Sequence, residues 1–274
     1  MSHPRQILES LDAAARKSLS QNFLVSPHWA EKLAFKALDI AADAVWEIGP
    51  GLGALTRPLL SRATVPVTLF EYDRKLAAYL RQEFPGIDLV EGDVLDADLE
   101  GRSAGLRLSV LSNLPYHLSS AILFRLAELA SPPVQMVLTF QREFADRVVA
   151  APRTGAYGAL SVLMQLQFDI ERLGILPPGA FYPAPGVDSE GLAFRPKGSP
   201  LAPELRSLVK GAFAQRRKRL VSNLKKSSPA PGWEQCLEKL GVDVNARAEE
   251  LSPAQFLELA AVRSQMIAEP NRRV

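Results

Sequence analysis

Three glycines at alternate positions, Gly49, Gly51 and Gly53, follow the acidic Glu47 in the segment EIGPGLG, where a predicted strand gives way to a predicted helix. Glycine lets a backbone turn tightly and lets a ligand approach it closely, and the start of a helix presents amide N–H groups that can bind the ligand. A purely structural turn is the alternative. The context of strand, turn and helix favours a nucleotide-like ligand over it.

Acidic residues at the ends of the next two predicted strands narrow the choice of ligand. Glu71 lies at a suitable distance after the glycines to bind ribose hydroxyls, and Asp93 follows in the segment EGDV. Gly49, Gly51 and Ala54 also satisfy the relaxed pattern G-x-G-x-x-G/A, so this motif alone leaves an NAD-dependent oxidoreductase open. That class is poorly supported, because no hydride-transfer acid or base is evident near a substrate site.

The series Glu47, Glu71 and Asp93 around the three glycines resembles the class I S-adenosylmethionine-dependent methyltransferases. The resemblance implies that Glu71 holds the cofactor ribose and that Asp93 accepts a hydrogen bond from the cofactor's adenine amino group. Either carboxylate alone is more often a solvated strand end, whereas the two in series are more specific. S-adenosylmethionine is therefore the expected cofactor.

The next predicted strand ends in Asn113-Leu114-Pro115-Tyr116, at the sheet edge where open α/β folds bind their ligands. The segment resembles the signature of the amino-methyltransferases, and this resemblance implies N6 of adenine as the target nitrogen. The N6 lone pair is delocalised into the adenine ring. Acceptors aimed at its two hydrogens, the Asn113 side-chain oxygen and the Leu114 carbonyl, would hold the nitrogen pyramidal for methylation. Pro115 restricts Leu114 to extended backbone, and Tyr116 offers a stacking face. A turn with a half-buried tyrosine is the structural alternative.

This segment resembles the N-L-P-Y form of the amino-methyltransferase signature that marks the ribosomal RNA adenine dimethyltransferases. Further similar segments are SLSQNFL at 18–24, QRE at 141–143, PGAFYPAPGVDS at 178–189, AFAQRRK at 212–218 and RAEELS at 247–252. The resemblance implies that Asn22, Leu24 and Asn113 contact S-adenosylmethionine. It also implies that Phe181 stacks on a flipped adenine opposite Tyr116, although a lone phenylalanine is usually a core residue.

The resemblance implies dimethylation of N6 on two adjacent adenines in the 3′-terminal hairpin loop of 16S ribosomal RNA, within an immature 30S subunit. One alternative is a 23S ribosomal RNA adenine methyltransferase of the macrolide-resistance type, which shares the fold and a related N-I-P-Y motif. The other is a ribosome-assembly or nucleic-acid-binding factor with little catalysis. Leu114 and a basic second domain favour the 16S enzyme, and intact Glu71, Asp93 and Asn113 argue against a binding factor.

Four positions depart from the usual pattern of the family. Ser20 replaces a glycine, so the N-terminal segment expected to cover the cofactor is predicted to be strained or differently ordered. His117 follows the signature where asparagine is common. Gly186 and Glu190 replace a lysine and an alanine, which removes one positive charge and adds a negative one near the expected RNA path.

Alternating apolar runs and amphipathic stretches predict the elements that position these residues. Strands are predicted at 44–48, 67–70, 88–91, 106–111 and 134–140, and helices at 55–61, 75–82 and 119–130. We expect an α/β, Rossmann-like catalytic domain with a mostly parallel sheet over residues 1–196. A small all-helical RNA-binding domain is expected over residues 197–274, after the linker segment RPKGSPLAP.

A basic run marks the first predicted helix of the second domain, at 205–224. Arg216, Arg217, Lys218 and Arg219 are consecutive there, and the segment 205–226 holds no acidic residue. A solvated helix face is the structural alternative. Next to an RNA-methylating domain, the run predicts contacts with RNA phosphates.

Composition bounds the remaining choices. The 274 residues are 47% hydrophobic and 23% charged, which is typical of a soluble globular protein and excludes wholesale disorder. The single cysteine, Cys236, excludes an intrachain disulfide or a CxxC pair, and the three histidines are scattered, so no metal site is expected. No signal, transit or membrane-spanning segment is predicted. A cytoplasmic monomer is the simplest expectation.

Overall fold

Continuous buried runs form the inner strands of a seven-stranded sheet. The structure is a computed structural model that describes residues 4–11, 22–229 and 231–268. Every residue of Ala44–Ile48 is buried, as are the first five of Leu108–Asn113. Strands that are covered on both faces read as uninterrupted apolar runs, which is the pattern of parallel sheets in α/β proteins.

The elements alternate along the first two thirds of the chain and are helical thereafter. The strands are β1 Phe23–Leu24, β2 Ala44–Ile48, β3 Val67–Glu71, β4 Asp88–Glu91, β5 Leu108–Asn113, β6 Gln135–Gln141, β7 Phe168–Leu176, β8 Phe181–Tyr182 and β9 Ser189–Pro196. The helices are α1 Pro4–Ser10, α2 Pro27–Ala37, α3 Thr56–Arg62, α4 Arg74–Glu83, α5 Leu99–Ser103, α6 Ser119–Ala127, α7 Arg142–Val148, α8 Ala159–Gln167, α9 Pro203–Ala212, α10 Leu220–Ser227, α11 Trp233–Lys239 and α12 Pro253–Ala268. Short 3-10 helices lie at Tyr116–Leu118, Pro178–Ala180 and Ala248–Glu250.

The strand order in the large sheet is β4-β3-β2-β5-β6-β9-β7. The pairs from β4 to β6 are parallel, and β9 runs antiparallel to β6. The predicted Rossmann-like α/β fold with a mostly parallel sheet is therefore confirmed. A separate two-stranded sheet pairs β1 with β8, which sets Leu24 opposite Phe181.

The core and the helix caps explain how the sheet edge is positioned. Leu33 and Ala37 of α2 pack in one buried cluster with Leu111 of β5 and Val137 of β6. Directly after β3, the Asp73 side chain accepts hydrogen bonds from the backbone N–H groups of the first turn of α4, which begins that helix sharply. Such short connections keep the strand ends at one edge of the sheet.

The chain divides into two compact units at positions that differ from the predicted boundary. One unit comprises Met1–Ala145 and Asp169–Pro200, and the other comprises Asp146–Phe168 and Leu201–Val274. The predicted boundary at 196/197 is thus corrected, because α8 packs with α9 and α12. Tyr157, fully buried, donates a 2.8 Å hydrogen bond to the carbonyl of Leu251 within this second unit.

The basic run does not lie within one helix, as was predicted for 205–224. Helix α9 ends at Ala212, residues 213–219 form a turn, and α10 begins at Leu220. The buried Asn223 side chain stabilises the break, since its amide donates to the carbonyls of Ala212 at 2.7 Å and Gln215 at 3.0 Å. The cations therefore occupy an exposed turn rather than a helix face.

Among the described residues, no helix combines the length and apolar character that crossing a membrane requires.

Candidate active site

The three glycines after β2 all adopt positive φ, a backbone conformation that side chains disfavour. Their φ angles are +66° at Gly49, +60° at Gly51 and +78° at Gly53. A Cβ at Gly49 would meet nothing within 4 Å, whereas one at Gly51 would lie 3.0 Å from the Phe23 ring. At Gly53 it would lie 2.7 Å from the Phe84 ring. The absence of a side chain at Gly49 thus leaves open space beside the turn, whereas at Gly53 it lets the Phe84 ring pack closely against the backbone.

Glu71 ends β3 as a buried carboxylate at the edge of this turn. One of its oxygens accepts the backbone N–H of Gly51 at 3.1 Å, and the other accepts that of Asp73 at 2.9 Å. Burial raises the pKa of Glu71 to about 7, against the effect of these two backbone hydrogen bonds. The carboxyl is therefore close to half ionised at neutral pH, and its ionised form is the better acceptor.

Glu47 lies in β2, two residues before Gly49, and is fully buried. Neither of its carboxylate oxygens nor the buried Thr56 hydroxyl has a hydrogen-bond partner among the described residues. Burial raises the pKa of Glu47 to about 8, and the nearby charge of Glu71 acts in the same direction. The neighbouring Thr56 hydroxyl opposes this rise in part without reaching hydrogen-bond geometry. Glu47 is mostly neutral at pH 7.

Two cavities open along the carboxyl edge of the sheet, and Gly49, Glu71 and Pro115 line both of them. The first brings together most of the predicted site: Asn22, Leu24, Gly49, Gly51, Glu71, Asn113, Leu114, Pro115 and Tyr116. The second, of about 230 Å³, is lined by Asp93 together with Tyr72 and His117. Gly53 lines neither, so its part is in the packing of the turn.

The Asn113 carboxamide is held by two hydrogen bonds. Its Nδ2 donates to the carbonyl of Asn22 at 3.0 Å, and its Oδ1 accepts from the Thr139 hydroxyl at 2.6 Å. Tyr116 opens the following 3-10 helix, and its hydroxyl shares a 2.7 Å hydrogen bond with Ser189. Burial raises the pKa of Tyr116, which keeps its hydroxyl neutral. Both side chains therefore point in fixed directions.

The structure does not bring Phe181 to either cavity. Its pairing with Leu24 places it in the core cluster with Ala30 and Leu33, where it is 4% exposed. Stacking of Phe181 on a base opposite Tyr116 stays a prediction, and it requires the side chain to move out of this core cluster.

The departures from the family pattern have different structural outcomes. Glu190 is 2% exposed, and its carboxylate pairs with Arg172 at 2.6 Å. The Glu190 carboxylate is therefore buried and paired with a half-exposed arginine, not exposed as a free negative charge. Gly186 has open space around its Cβ position, and Ser20 lies outside the described residues.

The exposed turn at residues 213–219, called the basic turn, holds two groups of cations. Arg216 donates to the carbonyl of Gly155 at 2.6 Å, and Arg219 donates to Asn245 at 3.0 Å. The side chains of Arg217 and Lys218 form no hydrogen bond or ion pair within the described part of the chain, and both residues are exposed. Only the second pair is thus fully available to an external anion.

Sequence reasoning missed three residues that contribute to the site. Tyr72 lines the second cavity directly after Glu71, and its place at a strand end could have indicated it. Thr139 and Ser189 act through side-chain hydrogen bonds to Asn113 and Tyr116. Strand pairing distant in sequence creates these contacts, so no local pattern announces them. The described residues hold no cluster of three metal-ligating side chains.

Sequence comparison identifies close relatives of this chain. A family model for ribosomal RNA adenine dimethylase matches residues 13–265. The ribosomal RNA small subunit methyltransferase A of Geobacter metallireducens is 40% identical over 260 residues, which cover 90% of this chain and 94% of that protein. The protein of the same name from Myxococcus xanthus is 38% identical over 267 residues, with 93% of each chain covered.

Comparison with solved structures identifies a dimethyladenosine transferase and a ribosomal RNA methyltransferase as similar folds. A dimethyladenosine transferase from Plasmodium falciparum is similar with a TM-score of 0.77 and 25% identity, over 89% of this chain and 98% of that one. The 23S ribosomal RNA methyltransferase ErmE is similar with a TM-score of 0.67 and 30% identity, over 89% of this chain and 100% of that one.

Proposed function

The chain belongs to the ribosomal RNA adenine dimethylase family, and on that premise we propose its substrate and the atoms it modifies. It is an S-adenosylmethionine-dependent ribosomal RNA adenine dimethyltransferase. We propose that it dimethylates N6 of two adjacent adenines in the 3′-terminal hairpin loop of 16S ribosomal RNA. The proposed substrate is an immature 30S subunit, on which the enzyme acts as a monomer in the cytoplasm.

The residues that line the two cavities fit the cofactor. Gly49 lines both, and the open space at its Cβ position lets a ligand approach the backbone. The Glu71 oxygens accept the N–H groups of Gly51 and Asp73, and a carboxylate has about four acceptor sites in all, so acceptor capacity remains for a ribose hydroxyl. Asp93, in the second cavity, is an acceptor for the adenine amino group. When bound there, S-adenosylmethionine supplies an electrophilic methyl group.

Asn113 and Leu114 provide the acceptors for the target nitrogen. The Thr139 hydroxyl occupies one acceptor site of Asn113 Oδ1, and the other stays available for one hydrogen of adenine N6. The Leu114 carbonyl is proposed to accept the second hydrogen. Together they would hold the nitrogen pyramidal, with its lone pair directed at the methyl group. A carboxamide is not basic, so Asn113 holds the hydrogen and does not remove it. The proton becomes acidic only as the new nitrogen–carbon bond forms and the carbon–sulfur bond of the methyl donor breaks, and it would then be lost to water.

Tyr116 is proposed to stack on the target base. A base in a hairpin must leave its stack to enter a pocket, at a cost of a few kcal/mol. The Tyr116 ring lines the first cavity beside Asn113, and its hydroxyl is fixed by Ser189. A ring whose orientation is already fixed loses little further freedom when a base stacks on it.

One observation carries the proposal: the signature Asn113–Tyr116 lines the same cavity as Gly49, Gly51 and Glu71. The acceptors for an amino group and the residues suited to a nucleoside cofactor thus face one space. This arrangement supports transfer of a methyl group to a nucleobase nitrogen.

Radiolabelled methyl transfer tests the proposal. We expect small subunits that lack adenine dimethylation to acquire label from S-adenosylmethionine, and nucleoside analysis to show N6,N6-dimethyladenosine. Large subunits serve as the control. Label on large-subunit RNA alone would replace the proposal with the macrolide-resistance reaction, and no label despite cofactor binding would replace it with a binding factor.

The Asn113→Ala variant tests the mechanism. We expect it to lower transfer by at least about a hundredfold, since the N6 acceptor is lost. Cofactor affinity, measured by calorimetry, is expected to change by less than about tenfold, because Gly49, Glu71 and Asp93 remain. An Asn113→Ala enzyme of near wild-type rate would disprove the role of the carboxamide.

A further inference from the structure

A threonine hydroxyl inside the sheet contacts the Asn113 carboxamide. Thr139 lies in β6, is fully buried and lines neither of the two cavities. Its Oγ1 donates a 2.6 Å hydrogen bond to Oδ1 of Asn113. An apolar side chain would pack at such a buried strand position without needing a polar partner. The hydroxyl therefore calls for an explanation in terms of what it bonds.

The two hydrogen bonds of the carboxamide define which of its atoms faces which neighbour. The carbonyl oxygen of Asn22 can only accept, so Nδ2 of Asn113 must face it, at 3.0 Å. Oδ1 then faces Thr139, and because Oδ1 also only accepts, the hydroxyl must be the donor. Turning the carboxamide over would set Oδ1 against the Asn22 carbonyl, acceptor against acceptor. The network permits one orientation.

Strand pairing fixes the position of the hydroxyl. Thr139 lies directly opposite Asn113 in the parallel register of β5 and β6, and opposite Gly191 in the antiparallel register with β9. The register of β5 with β2 ends one residue before Asn113, at Ser112. A residue paired on both sides is a rigid support for one at a strand end. The backbone of Thr139 is thus held more firmly than that of Asn113, which is paired on one side only.

We propose that Thr139 is a positioning residue for methyl transfer, which sets the direction of Asn113 Oδ1. The inference rests on the proposed function, in which Oδ1 accepts a hydrogen of adenine N6. Because the hydroxyl occupies one of the two acceptor sites of Oδ1, the adenine hydrogen is restricted to the other. Without the hydroxyl, only the Nδ2 bond to Asn22 holds the carboxamide, so Oδ1 has a wider range of directions and N6 meets the methyl group in fewer productive orientations.

The test compares three variants with wild type on small subunits that lack dimethylation. Thr139→Val keeps the β-branched shape and removes the hydroxyl, and we expect kcat to fall about 10- to 100-fold. The Kd for S-adenosylmethionine, from calorimetry, should stay within about twofold, because Thr139 lines neither cavity. Thr139→Ser keeps the hydroxyl and should restore kcat to within about threefold of wild type.

Thr68→Val is the matched control. Thr68 lies in β3 of the same sheet, and its hydroxyl donates a 2.8 Å hydrogen bond to Asp88, away from both cavities. We expect wild-type kcat from this variant. Comparison with this control shows whether a fall in kcat comes from losing the hydrogen bond to Asn113 or from losing a threonine hydrogen bond anywhere in the sheet.

Several results would overturn the inference while leaving the proposed function intact. A folded Thr139→Val enzyme with kcat within twofold of an active wild type would do so, and so would a Ser variant no better than Val. A parallel loss of kcat, cofactor affinity and Tm in Thr139→Val would assign Thr139 a structural role alone. If Thr139→Val does not fold, Thr139→Ala against Thr139→Ser gives the same comparison. An inactive wild type would instead refute the proposed function.

Discussion

Alanine substitutions at Gly53 and Gly49 are expected to separate stability from cofactor binding within one turn. Both glycines have positive φ, +78° and +66°. Their surroundings differ, because a Cβ at residue 53 would lie 2.7 Å and 2.8 Å from two atoms of the Phe84 ring, whereas a Cβ at residue 49 would meet nothing within 4 Å. The same chemical change therefore has two different physical consequences.

The free energies follow from these surroundings. A side chain in the left-handed region lowers the free energy of unfolding by about 1–2 kcal/mol. The reduced entropy of the unfolded chain raises it by about 0.4–1 kcal/mol. Gly49→Ala should thus lower the free energy of unfolding by at most about 1.5 kcal/mol. Gly53→Ala adds overpacking of about 1–3 kcal/mol. Phe84 cannot easily yield, since it packs on the core cluster and stacks against the Arg57 guanidinium.

Gly49→Ala, the less destabilising of the two substitutions, should cause the larger loss of cofactor affinity. Gly49 lines both cavities and Gly53 lines neither. A methyl group placed in a binding pocket changes affinity by about 1–3 kcal/mol, or about 10- to 200-fold. We expect a loss of that size in the affinity of Gly49→Ala for S-adenosylmethionine, and a much smaller one for Gly53→Ala.

Urea unfolding followed by circular dichroism and calorimetric titration with S-adenosylmethionine provide the two measurements. The reasoning is refuted if Gly53→Ala is no less stable than Gly49→Ala. It is equally refuted if Gly49→Ala binds the cofactor as tightly as wild type does.

Further substitutions test charge and surface. The pKa of Glu71 is about 7, and ribose hydroxyls donate to its ionised form. The affinity for S-adenosylmethionine should therefore rise about tenfold per pH unit below pH 7 and become constant above pH 7. Glu71→Gln should remove this dependence in calorimetry from pH 5.5 to 8.5. Gly186→Lys meets open space, so it should bind RNA more tightly in filter binding and steepen the salt dependence by about one ion. Arg217→Glu combined with Lys218→Glu should weaken RNA binding with an unchanged Tm, whereas Arg216→Ala should lower Tm because Arg216 holds the Gly155 carbonyl. Equal Tm values for these last two variants would contradict the division of the basic turn.

The sequence was sufficient to predict the five parallel strands of the large sheet and the residues at its carboxyl edge, but not the strands β7 and β9. Buried strands leave continuous apolar runs, and the polar residues that end them stand out against that background. Glu71 and Asn113 were found in this way and line the first cavity. Asp93 follows the half-exposed strand β4 and was found through the methyltransferase resemblance; it lines the second cavity together with Glu71.

The features that could not be predicted depend on contacts between distant residues. The break after Ala212 depends on the Asn223 side chain, which a periodic pattern treats as one more helical residue. Burial of Phe181 follows from the pairing of β1 with β8, two strands of two residues each. Neither strand is long enough to leave a pattern in the sequence.

The assignment of α8 to the second unit decides how this chain can be dissected. Its Leu160, Val162, Leu163 and Met164 side chains are buried, and its partners α9 and α12 come from the far end of the sequence. A fragment that ends at Pro200 would contain α8 without α9 and α12, and the apolar side chains of α8 that pack on those helices would be exposed to water. Chimeras between relatives should therefore exchange Asp146–Phe168 and the segment from Leu201 onward together, as one inherited module encoded in two pieces.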